Sequence, residues 1–230
     1  EEHLETALDL SEDIDNIEIL SFVFGYLGIF YKKLKKIKKS IKYFEKAIKS
    51  QKKIGSKIEL STLYHNMAAC YGVDGNAEQM LILIERSQKN YLELDETVLL
   101  GNSYGEMGNA LKTLGKHEEA ITMFNKAKPI FLSEEMYFKY TQVLIIQADT
   151  YIDQSNYSQA QNNLVEAQKY AEKFNVPIMN ARILFALAKV MYAKEKLSDA
   201  VNYIDDSIDI FQDLNNKGQL SSLFILKANI

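Results

Sequence analysis

Four columns of residues keep their size class at steps of forty positions, with no insertion or deletion, and this register constrains the fold more than any other feature of the chain. The first column reads Ser40, Met80, Ala120, Ala160 and Ala200, with only Met80 departing from small size. The second is large and apolar: Phe44, Ile84, Phe124, Leu164 and Ile204. The other two are small: Ala47, Ser87, Ala127, Ala167 and Ser207, then Gly28, Ala68, Gly108, Ala148 and Ala188. Chance amphipathicity does not hold twenty positions in register with one exception, so the chain is a repeat array.

Within one period the pattern is a helical hairpin. Tyr104, Met107, Gly108 and Leu111 recur at spacings of three and four and share one helix face. A break follows at Gly115-Lys116-His117, and Ala120, Phe124 and Ala127 mark the buried stripe of a second helix. Joints are expected near residues 35, 75, 115, 155 and 195. Repeats are expected at 21–60, 61–100, 101–140, 141–180 and 181–220. Residues 1–10 read as the end of a preceding repeat, 11–16 as an acidic joint and 221–230 as a truncated sixth unit, all in one array over 1–230. Gly55 reads as a helix stop and Pro177 suits a first helical position. Met80 marks a hairpin expected to have altered geometry. Pro129, inside a second helix, is expected to kink it or to end its regular part, since an interior proline costs about 3 kcal/mol.

Small, aromatic or apolar, small, large and small residues at fixed offsets resemble the tetratricopeptide repeat. The pattern stands here as Gly28, Tyr31, Ser40, Phe44, Ala47 and again as Gly108, Leu111, Ala120, Phe124, Ala127. The resemblance covers essentially the whole chain. It implies an all-α fold, a right-handed superhelix of antiparallel helical hairpins. The chain departs from the family in its period, forty instead of thirty-four, and in lacking a proline at the end of each unit. The phrase Ser40-Ile41-Lys42-Tyr43-Phe44-Glu45-Lys46-Ala47, with Gly55 near the unit end, resembles repeats in bacterial regulators and sensor kinases, in peptide-pheromone regulators of Gram-positive bacteria and in phosphatase-type response-regulator binders.

The resemblance also implies a function. Such arrays bind extended peptides or partner segments on a concave face lined by the opening helices, and the groove positions of the family fall on Phe22, Ile29, His65, Asn102, Asn109, Gln142, Asp149, Arg182 and Lys189. Asn102 and Asn109, two turns apart on one helix, can offer amide donors and acceptors to a peptide backbone, while Asp149 would favour a basic group. Asn109 matches the asparagine of the family's carboxylate-clamp members. The flanking lysines of that clamp are not reproduced, so recognition in that manner is not expected. The implied role is a non-catalytic protein- or peptide-binding domain, the sensory or scaffolding part of a larger bacterial signalling regulator. Two alternatives are a structural module that self-associates through exposed apolar ends and a fragment of a peptide-pheromone-responsive regulator.

Composition narrows the classes. Twenty-seven basic against thirty-one acidic residues argue against general polyanion binding, and no specific nucleic-acid partner is expected. Residues 32–57 nevertheless hold twelve lysines and one acidic residue, Glu45. Lys38, Lys42, Lys46, Lys49 and Lys53 form either a solvated face or a patch for an acidic partner. The one cysteine, Cys70, reads as a packing residue, and His3, His65 and His117 lie in separate units. No nucleotide-binding loop, clustered metal ligands or catalytic triad is visible, so no enzyme activity, metal or cofactor is expected. No apolar run is long enough to span a membrane. A cytoplasmic chain is expected, with a periplasmic one left open because the sequence begins at Glu1 rather than Met.

Overall fold

A computed structural model of the protein describes residues 6, 8, 10 and 16–230. The chain forms two compact units, Glu1–Gly115 and Lys116–Ile230. Unit 1 contains α1 (Ile17–Lys33), α2 (Ile37–Ile54), α3 (Lys57–Val73), α4 (Ala77–Glu93) and α5 (Thr97–Thr113). Unit 2 contains α6 (His117–Ser133), α7 (Tyr137–Asp153), α8 (Tyr157–Lys173), α9 (Pro177–Ala193), α10 (Leu197–Asp213) and α11 (Lys217–Ala228). In each unit every helix packs on the next in sequence, and opening helices two apart also touch, α1 on α3 and α7 on α9.

The sequence columns supply the core. All twenty column residues are buried, including Phe44, Ile84, Phe124, Leu164 and Ile204 at 0% exposure. Burying each of these large side chains stabilises the fold by about 1.5–3 kcal/mol. The small columns let backbones approach. A Cβ built on Gly28 would lie 2.7 Å from the Phe44 ring, so glycine and phenylalanine fit here as a pair. Ser40, also buried, donates from Oγ to the Gly28 carbonyl at 2.6 Å and replaces a hydrogen bond with water that burial removes.

Helix ends follow a period of twenty. Positive φ recurs at Lys35, Gly55, Gly75, Asp95, Gly115, Glu135, Ser155, Asn175, Glu195 and Asn215. Most of these residues close a Schellman motif, in which the next residue donates to the carbonyl five positions back: Lys36 to Tyr31, Asn76 to Tyr71, Glu96 to Tyr91 and Met136 to Phe131 are examples. The residue after each turn starts the following helix. Asn76 and Asn156 do so with side-chain caps, each accepting from the amide three residues on, and Asn16 caps α1 by accepting from the amides of Glu18 and Ile19. Pro177 occupies the first turn of α9, where its missing N–H leaves no bond unmade.

Several expectations change. Each opening helix begins four residues earlier than the size columns suggest, at Ile17, Lys57, Thr97, Tyr137 and Pro177. Nine of the eleven described helices are seventeen residues long, so longer helices rather than longer joints absorb the extra length of the period. Pro129 does not end α6, which continues to Ser133; the ring lies on an exposed face, four residues before the helix end. The Met80 hairpin keeps the usual helix and joint lengths. Gly72 makes the room: a Cβ there would lie 2.9 Å from Met80 Sδ. The expected preceding repeat at 1–10, the joint at 11–16 and His3 fall wholly or largely outside the described residues.

Candidate functional site

In unit 1 a cleft of about 280 Å³ opens between α1 and α3. Phe22, Tyr26 and Ile29 stand at helical spacings of four and three along one wall, opposite Glu59, Thr62 and Asn66. Phe22 and Tyr26 are 54% and 63% exposed, large aromatic surfaces that an apolar ligand would cover. Beneath them, Ser21 Oγ donates to Gln51 Oε1 at 3.0 Å, which ties α1 to α2 and fixes the cleft floor.

A second cleft of unit 1, about 300 Å³, lies between α3 and α5. Asn109 is exposed and lines it with Ala69, Gly72, Val73 and Glu106. His65 is not an open groove residue, because its Nε2 lies 3.2 Å from Glu106 Oε1 and joins α3 to α5. Nδ1 of His65 and Oε2 of Glu106 are buried and without hydrogen-bond partners among the described residues. Asn102 is half-buried on α5 and is not among the residues that line these clefts.

Unit 2 carries a cleft of about 380 Å³ between α7 and α9, closed at one end by residues from α10 and α11. Gln142, Asp149, Arg182 and Lys189 all line it. Lys189 Nζ donates to Asp149 Oδ1 at 2.9 Å and lies 4.6 Å from the centre of the Phe185 ring. The carboxylate expected to attract a basic ligand is therefore already paired, across two equivalent positions forty residues apart. Burial pulls the pKa of Arg182 below the ordinary guanidinium value, and Asp149 opposes that pull. Among the described residues its guanidinium makes one hydrogen bond, from Nη1 to Met179 Sδ at 4.0 Å.

Other polar groups lie outside the clefts. Lys38, Lys42, Lys46, Lys49 and Lys53 are all exposed on α2, and Lys46 Nζ lies 4.9 Å from the centre of the Phe24 ring. Cys70 is fully buried, with Sγ 3.2 Å from Ser40 Oγ, and burial pushes its thiol pKa up. Tyr140 donates to Glu166 and joins α7 to α8; burial, then Glu166, push its pKa up. No helix among the described residues is long and apolar enough to cross a membrane, and none of their His, Cys, Asp and Glu side chains form a group of three or more that could hold a metal.

The sequence columns missed Tyr26, Glu59 and Asn66 in the first cleft, and Phe138, Ile178, Asn216 and Gln219 in that of unit 2. Helical spacing could have found several of them. Phe138, Gln142, Ile145 and Asp149 stand at steps of four, three and four, as do Ile178, Arg182, Phe185 and Lys189. Phe138 and Ile178 precede the expected repeat starts because those starts were set four residues late.

Family models of the tetratricopeptide repeat match residues 59–133 and 27–54. A sequence comparison with curated proteins finds no match. Among solved structures, the chain resembles aspartyl phosphate phosphatase F from Bacillus subtilis, with a TM-score of 0.84 and 18% identity over 96% of this chain; it spans 58% of that one. It also resembles the Rap conjugation gene regulator of plasmid pLS20 in complex with the Phr* peptide, with a TM-score of 0.75 and 15% identity, covering 94% of this chain and 60% of the other. A signal-transduction ATPase with a tetratricopeptide-repeat sensor, from Pyrococcus horikoshii, has a TM-score of 0.79 and 16% identity over 92% of this chain and 33% of its own. The described helices, the buried repeat columns and the two family matches agree: residues 27–54 and 59–133 match the tetratricopeptide repeat, and the fold of the chain is similar to that of bacterial regulatory repeat domains.

Proposed function

We propose that the chain is a peptide-binding repeat domain, the sensory or scaffolding part of a larger bacterial regulator, which receives extended segments of a partner in the clefts between successive opening helices. One observation carries the reading. Each of the three clefts lies between successive opening helices, α1 with α3, α3 with α5, and α7 with α9, the second nearer the C-terminal ends of its helices, while their chemistry changes from one to the next. Backbone-compatible amides, Asn66, Asn109 and Gln142, stand beside apolar walls, the mixture expected of a site for an extended peptide. The solved Rap regulator with its Phr* peptide supports the finer reading of a pheromone-responsive regulator, through likeness of fold. The repeat fold supports a non-catalytic role.

Selection of a displayed random-peptide library on the immobilised protein tests this. Enriched sequences, remade as synthetic peptides, should bind by calorimetry. Phe22→Ala or Asn109→Ala should weaken those peptides that use the unit 1 clefts while leaving thermal unfolding nearly unchanged, since exposed side chains contribute little to stability. Failure to enrich any peptide, or peptides whose affinity ignores every cleft substitution, would sink the reading. Self-association is a second reading, favoured by Phe224 and Ile225 of α11, which are 50% and 64% exposed. Sedimentation of wild type beside an Ile225→Lys variant decides it: a concentration-dependent shift that the variant abolishes supports assembly through this face.

A further inference from the structure

The lining of the unit 2 cleft departs from the amides of the others in having two cationic side chains, Arg182 and Lys189, against one carboxylate, Asp149. The two cations are not equivalent. Lys189 is engaged twice, by Asp149 at 2.9 Å and by the Phe185 ring at 4.6 Å. Arg182 has five N–H donors in a planar fork, and the described contacts employ one of them, on a thioether, which is a weak acceptor. A partly buried guanidinium that makes no hydrogen bond to an oxygen among the described residues is an incomplete arrangement. Desolvation has weakened its hydration and no full ion pair has replaced it.

We propose that this cleft is a carboxylate subsite in which Arg182 receives, through its fork, the carboxylate of a bound peptide. The inference rests on the peptide-binding reading and names the chemistry one cleft selects. Asp149 and Lys189 neutralise each other, which leaves one net positive charge for a monoanion. The nearby Asp149 carboxylate also disfavours a more highly charged group such as phosphate. Gln142, Asn216 and Gln219 supply neutral donors and acceptors for the adjoining peptide backbone. Phe138, Ile145 and Ile178 supply an apolar wall for a neighbouring side chain. This arrangement does not use the asparagine of the carboxylate clamp, which falls at Asn109 in unit 1. A peptide carboxylate has two sources, the chain terminus and an acidic side chain, and the cleft accepts the chemistry they share.

Three N-acetylated tripeptides distinguish these sources: Ala-Leu-Phe with a free terminus, the same sequence as its C-terminal amide, and Ala-Glu-Phe amide. Each is titrated into the 230-residue protein while arginine side-chain amide resonances and affinity are followed. At least one acidic peptide should bind about tenfold more tightly than the neutral amide, and the acidic peptide that does so identifies the source. Arg182→Gln should remove that advantage without altering thermal unfolding. Should this variant fail to fold, Arg182→Lys keeps the charge without the fork and should reduce the advantage by about threefold or more. Equal binding of all three peptides, no binding of either acidic one, or an advantage that survives a folded Arg182 variant would each overturn the carboxylate assignment. A library-selected peptide that still binds would leave the broader peptide-binding reading standing.

Discussion

Unit 1 and unit 2 use the same twenty-residue helix step but differ in how their clefts are lined and in how their helices end. The first cleft of unit 1 is walled by Phe22, Tyr26 and Ile29, whereas in that of unit 2 the places equivalent to Phe22 hold Gln142 and Arg182 and those equivalent to Ile29 hold Asp149 and Lys189. At the left-handed helix ends, three of the five positions in unit 1 are glycine and none of the five in unit 2 is. The lesson is that the repeat fixes size at positions facing the partner helix of a hairpin and leaves chemistry free on the cleft side. Fold and recognition occupy different columns of one sequence.

The largest expected effect tests whether the size columns carry equal weight in both units. Phe44→Ala should destabilise the protein by about 3–5 kcal/mol, and Ile204→Ala by about 2–5 kcal/mol, because each leaves a cavity at a fully buried site. Urea unfolding with two probes, one reporting each unit, measures both and shows whether the loss stays local. Gly28→Ala should cost about 1–3 kcal/mol through overlap with the Phe44 ring. Combined with Phe44→Ile it should cost less than the sum of the single changes, since alanine accompanies isoleucine at 68 and 84 and again at 188 and 204. Strict additivity would mean that the pairing of columns is incidental.

A smaller effect separates unit 2 by its buried polar relay. Asn163 Nδ2 donates to Gln147 Oε1 at 3.0 Å, and Gln147 Nε2 donates to Asn125 Oδ1 at 2.9 Å, joining α6, α7 and α8. The residues equivalent to Gln147 are Leu27, Met67, Met107 and Leu187, so the other repeats place an apolar group there. Gln147→Ala should cost about 1–3 kcal/mol because it strands the Asn163 amide in a buried site. The double change Gln147→Leu with Asn163→Leu should recover most of that loss, as an apolar pair suffices elsewhere. A double variant less stable than the single one would show that the relay holds α6 in a way apolar packing cannot replace.

Much of the fold was legible because it depends on size at fixed spacing. All twenty column residues are buried, and helix ends fall at the joints expected near residues 35, 75, 115, 155 and 195. The helix starts were misplaced because the first helical position varies freely, as Ile17, Lys57, Thr97, Tyr137 and Pro177, and the apolar column behind it, Ile58, Val98, Phe138 and Ile178, is broken by Glu18. The cleft residues were less legible for a different reason. Asp149 and Lys189 were both picked out, but whether two side chains forty residues apart meet or point apart depends on how neighbouring opening helices pack, which spacing within one helix does not encode. His65 is the same case, its imidazole turned to Glu106 on α5.

The smallest expected effect concerns the helix ends. Glu135 and Glu195 hold φ of 54° and 59°, where a side chain crowds the backbone and glycine does not. Replacing either by glycine trades relief of that crowding against the greater freedom of glycine in the unfolded chain. Helices ending in this conformation favour glycine strongly enough that relief should win, by about 0.5–1 kcal/mol per site. Gly75 and Gly115 already occupy equivalent positions in unit 1, so Gly75→Ala should be destabilising by a similar amount. Thermal unfolding of Glu135→Gly, Glu195→Gly and their combination measures the gain, which should add because the sites lie sixty residues apart on different helices. If the two glycine variants lose stability while Gly75→Ala also loses it, the left-handed turn is not what limits unit 2. The glutamates would then contribute contacts of their own, and the difference in helix ends between the units would reflect local side-chain interactions rather than backbone strain.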